Sequence, residues 1–119
     1  MLNLTVLEGD LSTQPEIRLL ESGTRLATFQ VRVRQDGRRA TSVPVILWDP
    51  PTRVEALDEG ASVVVVGCVR RRFFALADGR RGSRVEVVAD TVTRTDDRRR
   101  VRGVFRKVDA ALAKRANAG

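Results

Sequence analysis

The chain has 119 residues, 42% of them apolar, with one cysteine, no histidine and no tyrosine, and a formal net charge of +7. That length suits one domain with a tail, and the missing histidine excludes Ser-His-Asp triads, Cys-His pairs and Cys/His metal sites within the chain. No apolar run approaches the ~20 residues of a membrane helix, so no membrane association is expected. In chain order, the opening "MLNLTVLEGD" has neither a basic region nor a long apolar segment, and no signal peptide is expected. Leu2, Leu4 and Val6 alternate with the period of a half-buried strand. "LSTQPEIRLLESG" starts as a loop at Ser12–Pro15 and resumes an extended pattern near Ile17; Ser22–Thr24 is a turn. "LATFQVRVRQ" puts Phe29, Val31 and Val33 on one face and Thr28, Gln30, Arg32 and Arg34 on the other. "QDGRRA" is a hairpin loop with Asp36-Gly37 at its tip. "TSVPVILW" is the next strand, with Pro44 arguing for an edge or a bulge.

"DPPTRVEALDEG" is a short helix candidate of about two turns, with Asp49 as cap, prolines in the first turn and Gly60 as terminator. "ASVVVVGCVRRRFF" is a long strand, bent at Gly67, with Cys68 a small buried thiol. "ALADGRRG" turns at Asp78-Gly79, and "SRVEVVADTVTR" is the last strand. "TDDRRRVRG" reads as a charged linker, followed by Val104, Phe105, Val108, Ala111 and Leu112 at the spacing of a short amphipathic helix. The fold expected is all-β: a five-stranded OB-fold barrel with one short helix between strands 3 and 4 and a basic helical tail. Another small barrel or sandwich shares that pattern. The domain division is 1–97 for the body and 98–119 for the tail.

Residues 1–97 hold fourteen arginines and fourteen carboxylates, which cancel. Residues 98–119 hold eight Arg or Lys (Arg98, Arg99, Arg100, Arg102, Arg106, Lys107, Lys114, Arg115) against Asp109, so the whole positive excess lies in the tail. A neutral body still binds anions when its cations gather on one face. Twenty of the 22 basic residues are Arg, a bias that a GC-rich genome also produces. The carboxylates are scattered, with Asp58-Glu59 and Asp96-Asp97 reading as solvated turn charges. No catalytic residue, metal site or cofactor is expected, and the chain does not read as an enzyme.

Three stretches, in order, carry a resemblance. They are "LNLTVLEGDLSTQPEIRLLESGTRLATFQVRV", "VPVILWDPPTRVEALDEGASVVVVGCVRRR" and "DGRRGSRVEVVADTV". Within them lie Gly9-Asp10-Leu11, Pro15-Glu16-Ile17-Arg18, Gly23, Ala27-Thr28-Phe29, "EGAS" and "VEVVAD". Over residues 2–94 the chain resembles the bacterial single-stranded DNA-binding protein family. The resemblance implies an OB-fold that binds single-stranded DNA without strong sequence preference, in replication, repair or recombination. It further implies a homo-oligomer, most often a tetramer, in the bacterial cytoplasm on the nucleoid.

On that resemblance, "RRRFFALADGRR" reads as a phosphate and base surface, with Arg70 and Arg72 on one face and Arg80, Arg81 and Arg84 returning beside them. Phe74 and Trp48 fall where the family often has stacking aromatics; the other reading has Phe73 or Phe74 filling the barrel, Trp48 packing on the helix and the arginines on a solvated hairpin, while Phe29 belongs to the core. Arg32, Arg34, Arg38 and Arg39 line the hairpin between the second and third strands, which in the family contacts DNA; a solvated face is the other reading. Ser42, Gln35 and Ser83 stand where the family often has aromatics. Each lost stack removes ~1 kcal/mol or more, so three together weaken binding about a hundredfold or more. Arginine planes can replace some of that stacking.

The family's long acidic-tipped tail has no counterpart in "DDRRRVRGVFRKVDAALAKRANAG", so recruitment of replication proteins through such a tip is not expected. The tail reads either as an extra DNA-binding arm or as an oligomer- or partner-binding helix built on Val104, Phe105, Val108 and Leu112. A second reading of the whole chain is an assembly module of the replication machinery with weak nucleic-acid binding, favoured by the scarcity of aromatics, 4% of the chain.

Overall fold

Alternation decides the strands. In β3 (Arg25–Val33) Ala27, Phe29 and Val31 are buried while Thr28, Gln30 and Arg32 face outward. In β4 (Thr41–Trp48) Val45 and Leu47 join that core, and Ile46 and Trp48 take the outer face. Before them come β1 (Thr5–Leu11) and β2 (Glu16–Leu19); after them α1 (Thr52–Glu55), β5 (Ser62–Ala75), β6 (Arg81–Arg94) and α2 (Arg98–Ala118). The structure, a computed structural model, describes residues 1–118; Gly119, the last residue assigned to the tail, lies outside the described residues.

The expected five-stranded barrel with its helix between strands 3 and 4 is not what the chain forms. It builds one six-stranded sheet in the order β1-β5-β6-β4-β3-β2, and the short helix sits between the fourth and fifth strands. The extra strand is β2. Pro15, which has no amide hydrogen to donate, ends the loop that separates it from β1, and Glu16–Leu19 then pairs antiparallel with β3 from Glu16↔Thr28 to Leu19↔Arg25. A short additional pairing, Asp10↔Arg32 and Leu11↔Val31, ties β1 to β3. Pro44 is accommodated because the parallel pairing of β4 with β6 is confined to Val45↔Val87 and Ile46↔Val88, just beyond it.

The helix α1 is shorter than expected, a single turn. Asp49 does not cap it: Pro51 occupies that position without a side-chain bond, and Asp49 takes a left-handed φ of 49° directly after Trp48. Gly60 lies beyond Asp58 and Glu59 at φ 86°, in the turn that leads into β5.

The run Val63–Val66 is buried on both faces, which is why it shows no alternation. Val63 and Val65 enter the main core with Leu11, Phe29, Val31, Val87 and Val92. Val64 and Val66 face the other way and are covered by α2 through Val101, Val104 and Val108, with Leu4 alongside. That spacing, i, i+3 and i+7, is one stripe of a helix. Most of the segment expected to be a linker, Arg98–Gly103, is therefore the start of α2. Asp97 starts it, its carboxylate accepting from the Arg100 amide at 3.2 Å and its carbonyl from the Val101 amide at 3.0 Å. Cys68 follows Val66 on the same face, beyond the valines that α2 covers, and is half-buried rather than buried. No helix among the described residues is long and apolar enough to cross a membrane.

The β5–β6 ladder shifts register between Val66 and Gly67. At Gly67 the backbones come so close that a Cβ would lie 2.8 Å from the Ala89 Cα and closer still to the Val88 carbonyl oxygen. Gly67→Ala is expected to destabilise the fold by about 1–3 kcal/mol through forced backbone movement, read as a lower urea midpoint with an unchanged slope.

Candidate nucleic-acid interface

Residues of even number in β5 face outward from Ser62 to Phe74. Past the reach of α2 they are Cys68, Arg70, Arg72 and Phe74. Their cross-strand partners in β6 are Val88, Glu86, Arg84 and Gly82. On the neighbouring strands the same face carries Ile46 and Trp48 of β4, Leu26 and Thr28 of β3, and Arg18 of β2. These side chains line a cleft of about 180 Å³ with Arg70, Arg72, Arg84 and Glu86. Trp48 stands there 42% exposed. Four guanidinium-bearing residues and one indole thus share a single concave face.

Glu86 organises this cluster. Its side chain is fully buried; Oε1 accepts a hydrogen bond from Arg70 Nη2 at 3.0 Å and forms an ion pair with Arg72, whose Nε lies 3.4 Å away. Oε2 has no hydrogen-bond partner among the described residues. An ionised carboxylate held from water is costly unless cations answer it, so the two arginines are held to the sheet at their bases. They remain about half exposed, 44% and 48%, with donors left for an anion. Arg72 also lies over the Phe74 ring, 5.8 Å from its centroid.

The eleven residues singled out from the sequence do not gather in one place. Trp48, Arg70, Arg72 and Arg84 line the cleft, and Phe74 continues the same face at the hairpin end. Phe74 is half-buried, its ring packed where Gly82 leaves room across the ladder, whereas Phe73 on the opposite face is 63% exposed. Arg80 sits at the turn, paired with Asp78 at 2.6 Å. Arg81 opposes Ala75, on the face of Phe73 rather than of Arg72. Arg32 is tied to Asp10 at 3.2 Å across the β1–β3 pairing. Arg38 and Arg39 line a separate depression with Gln35, Thr41 and Val43, and Arg34 is exposed nearby.

Two members of the cleft went unnoticed in the sequence. Arg18 alternates with the half-buried Ile17 in a strand of only four residues, too short a pattern to assign a face with assurance. Glu86 is a lone carboxylate in a valine strand, and only the register Arg70↔Glu86 shows what answers it.

Residues 2–95 match the single-strand binding protein family. The chain is similar to single-stranded DNA-binding protein 2 of Listeria innocua, 31% identical over 87% of this chain and 70% of the relative. It is similar also to single-stranded DNA-binding protein of Oceanobacillus iheyensis, 33% identical over 77% of this chain and 62% of the relative. Single-stranded DNA-binding protein 2 of Listeria monocytogenes is 34% identical over the same shares. The matched stretch thus spans about two thirds of the length of these relatives.

Glu86→Gln keeps the shape and removes the charge that holds Arg70 and Arg72. It should lower stability by about 1–3 kcal/mol, measured by chemical denaturation, with the native far-ultraviolet dichroism retained.

Proposed function

The chain belongs to the single-strand binding protein family, and from that premise we propose that it binds single-stranded DNA without sequence preference. Members of that family bind rather than catalyse, and the chain is not an enzyme. The observation that carries the reading is the cleft in which Trp48 stands beside Arg18, Arg70, Arg72 and Arg84. Guanidinium groups neutralise phosphates and release counterions, which gives salt-dependent affinity indifferent to sequence. A half-exposed indole offers a face on which any base stacks, at ~1–3 kcal/mol per base.

Within this reading the body, 1–97, is the DNA-binding domain and 98–119 the basic tail, whose helix packs on it through Val101, Val104 and Val108. The strand runs along the outer face of β5 and β6, over Arg70, Arg72, Phe74 and Arg84, with Arg80 and Arg81 at the hairpin tip. Arg32, Arg34, Arg38 and Arg39 extend the track on the β3–β4 hairpin. The chain acts as a homo-oligomer, in our reading a tetramer, in the bacterial cytoplasm during replication, repair or recombination. Exposed Val69, Phe73 and Val85 on the inner side of the β5–β6 hairpin support such self-association.

Trp48 is the only tryptophan. Titration with oligo-dT should quench its fluorescence, and duplex DNA of equal concentration should not. Retention of full fluorescence on bound single strands would take the indole out of the interface. Phe74→Ala should weaken binding by ~1–3 kcal/mol at an unchanged salt slope. Arg70→Ala combined with Arg72→Ala should flatten the slope of log affinity against log salt. Light scattering after size exclusion reads the subunit number.

A further inference from the structure

A second set of cations converges on the same sheet face, at the end away from Trp48. The stripe of α2 that faces the sheet carries Arg100, Gly103, Val104 and Lys107, spaced i, i+3, i+4 and i+7. Across from it stand Thr91 and Thr93 of β6, and Arg53 reaches in from α1. Together these residues line a cavity of about 240 Å³.

Three features of the cavity ask for an anion. Arg53, Arg100 and Lys107 come to it from two helices, and one carboxylate, Asp97, answers them, bonded to Arg100 Nε at 3.1 Å. Thr93 is 2% exposed, yet its hydroxyl has no hydrogen-bond partner among the described residues. A buried hydroxyl left so is costly, and it is a ready donor. Gly103 brings bare backbone to the helix wall, where a ligand can approach closely. The charge balance points the same way. Desolvation of the Arg53 guanidinium, where Nη1 donates to the Val92 carbonyl at 2.6 Å, and then the like charge of Arg100, lower its pKa; Asp97 opposes this in part. An added anion relieves that repulsion.

We propose that this cavity binds a phosphate group, held by Arg53, Arg100 and Lys107 with the Thr93 hydroxyl as a neutral donor. Its tetrahedral oxygens accept from all four, and its charge answers the positive excess that the one carboxylate leaves. The phosphate is either one of a DNA backbone or a free one. The backbone source rests on the functional reading above; phosphate binding itself does not. Glu86 and Thr93 oppose Arg70 and Val64, six residues apart on β5, about 20 Å, so a DNA strand lying in the Trp48 cleft reaches the cavity only if it is long.

The test is an amide-shift titration of the isotope-labelled full chain with inorganic phosphate, against sodium chloride at equal ionic strength. Saturable shifts are expected at Thr93, Gly103 and Lys107, with the Trp48 indole unmoved. Arg53→Gln combined with Lys107→Gln should weaken phosphate binding about tenfold or more, and Thr93→Val, which keeps the side-chain shape, should weaken it too. Melting temperatures show that the variants fold. Oligo-dT then separates the sources: a long strand that displaces phosphate from these amides, where a short one does not, identifies the backbone. Phosphate that stays bound under saturating long DNA identifies a free ligand. Phosphate binding in a protein that binds no DNA would sink the functional reading and leave the site standing. Shifts that never saturate, that chloride reproduces, or that survive unchanged in the double variant would overturn it.

Discussion

The pairing of β5 with β6 is the constraint on which the rest of the molecule depends. Both strands run fourteen residues, and each half of the hairpin has a different environment. In the half nearer α2, β5 is buried on both faces, between the main core and the helix. In the other half its outer face is open and carries arginine. The register shift at Val66/Gly67 lies between the halves. It keeps Val87 and Ala89 in the core beside Val92, although an uninterrupted alternation would turn one set outward. With that correction Glu86 and Arg84 share a face with Arg70 and Arg72, and Thr91 and Thr93 face α2.

Charge in the body is organised rather than merely balanced. Several arginines are committed to local carboxylates: Arg32 to Asp10, Arg80 to Asp78, Arg94 to Asp96. Such exposed pairs contribute little to stability, but they reduce the free charge at those points. The Arg94 pair lowers the pKa of Asp96, chiefly through their hydrogen bond. Arg70 and Arg72 are arranged otherwise. They share one buried carboxylate oxygen, so two cations meet one anion, and the surplus faces the cleft. A net-neutral body thereby keeps a positive face. The tail adds its own excess, and α2 places part of it, Arg100 and Lys107, against the sheet.

Much of this was legible in the residues themselves. Alternation in "LATFQVRVRQ" assigns Phe29 and Val31 to the core because a pleated strand offers two faces and only one is dry. The arginine cluster after Gly67 and the place of Trp48 at a strand end point to the face that carries the cleft, and the resemblance read from residues 2–94 coincides with the family match over 2–95. The start of α2 was in principle readable as well, from Asp97 before a stripe of Val101, Val104 and Val108. The arginine run obscured it, since charged residues are spaced to no visible period.

What the sequence by itself determined is local: which residues alternate, where turns fall, where charge accumulates and which chemistry is absent. Tertiary structure decided the rest, because each remaining feature depends on neighbours distant in the chain. Four residues after Pro15 become a strand only because β3 offers them an edge. Val64 and Val66 are buried only because a helix more than thirty residues later lies over them. Alternation already puts Phe74 rather than Phe73 on the face of Arg72, but only the hairpin register and the neighbouring strands put that face beside Trp48. Glu86 becomes the counter-ion of two arginines through the same register. Pairing energies of this kind belong to two segments at once, and no window of one segment contains them.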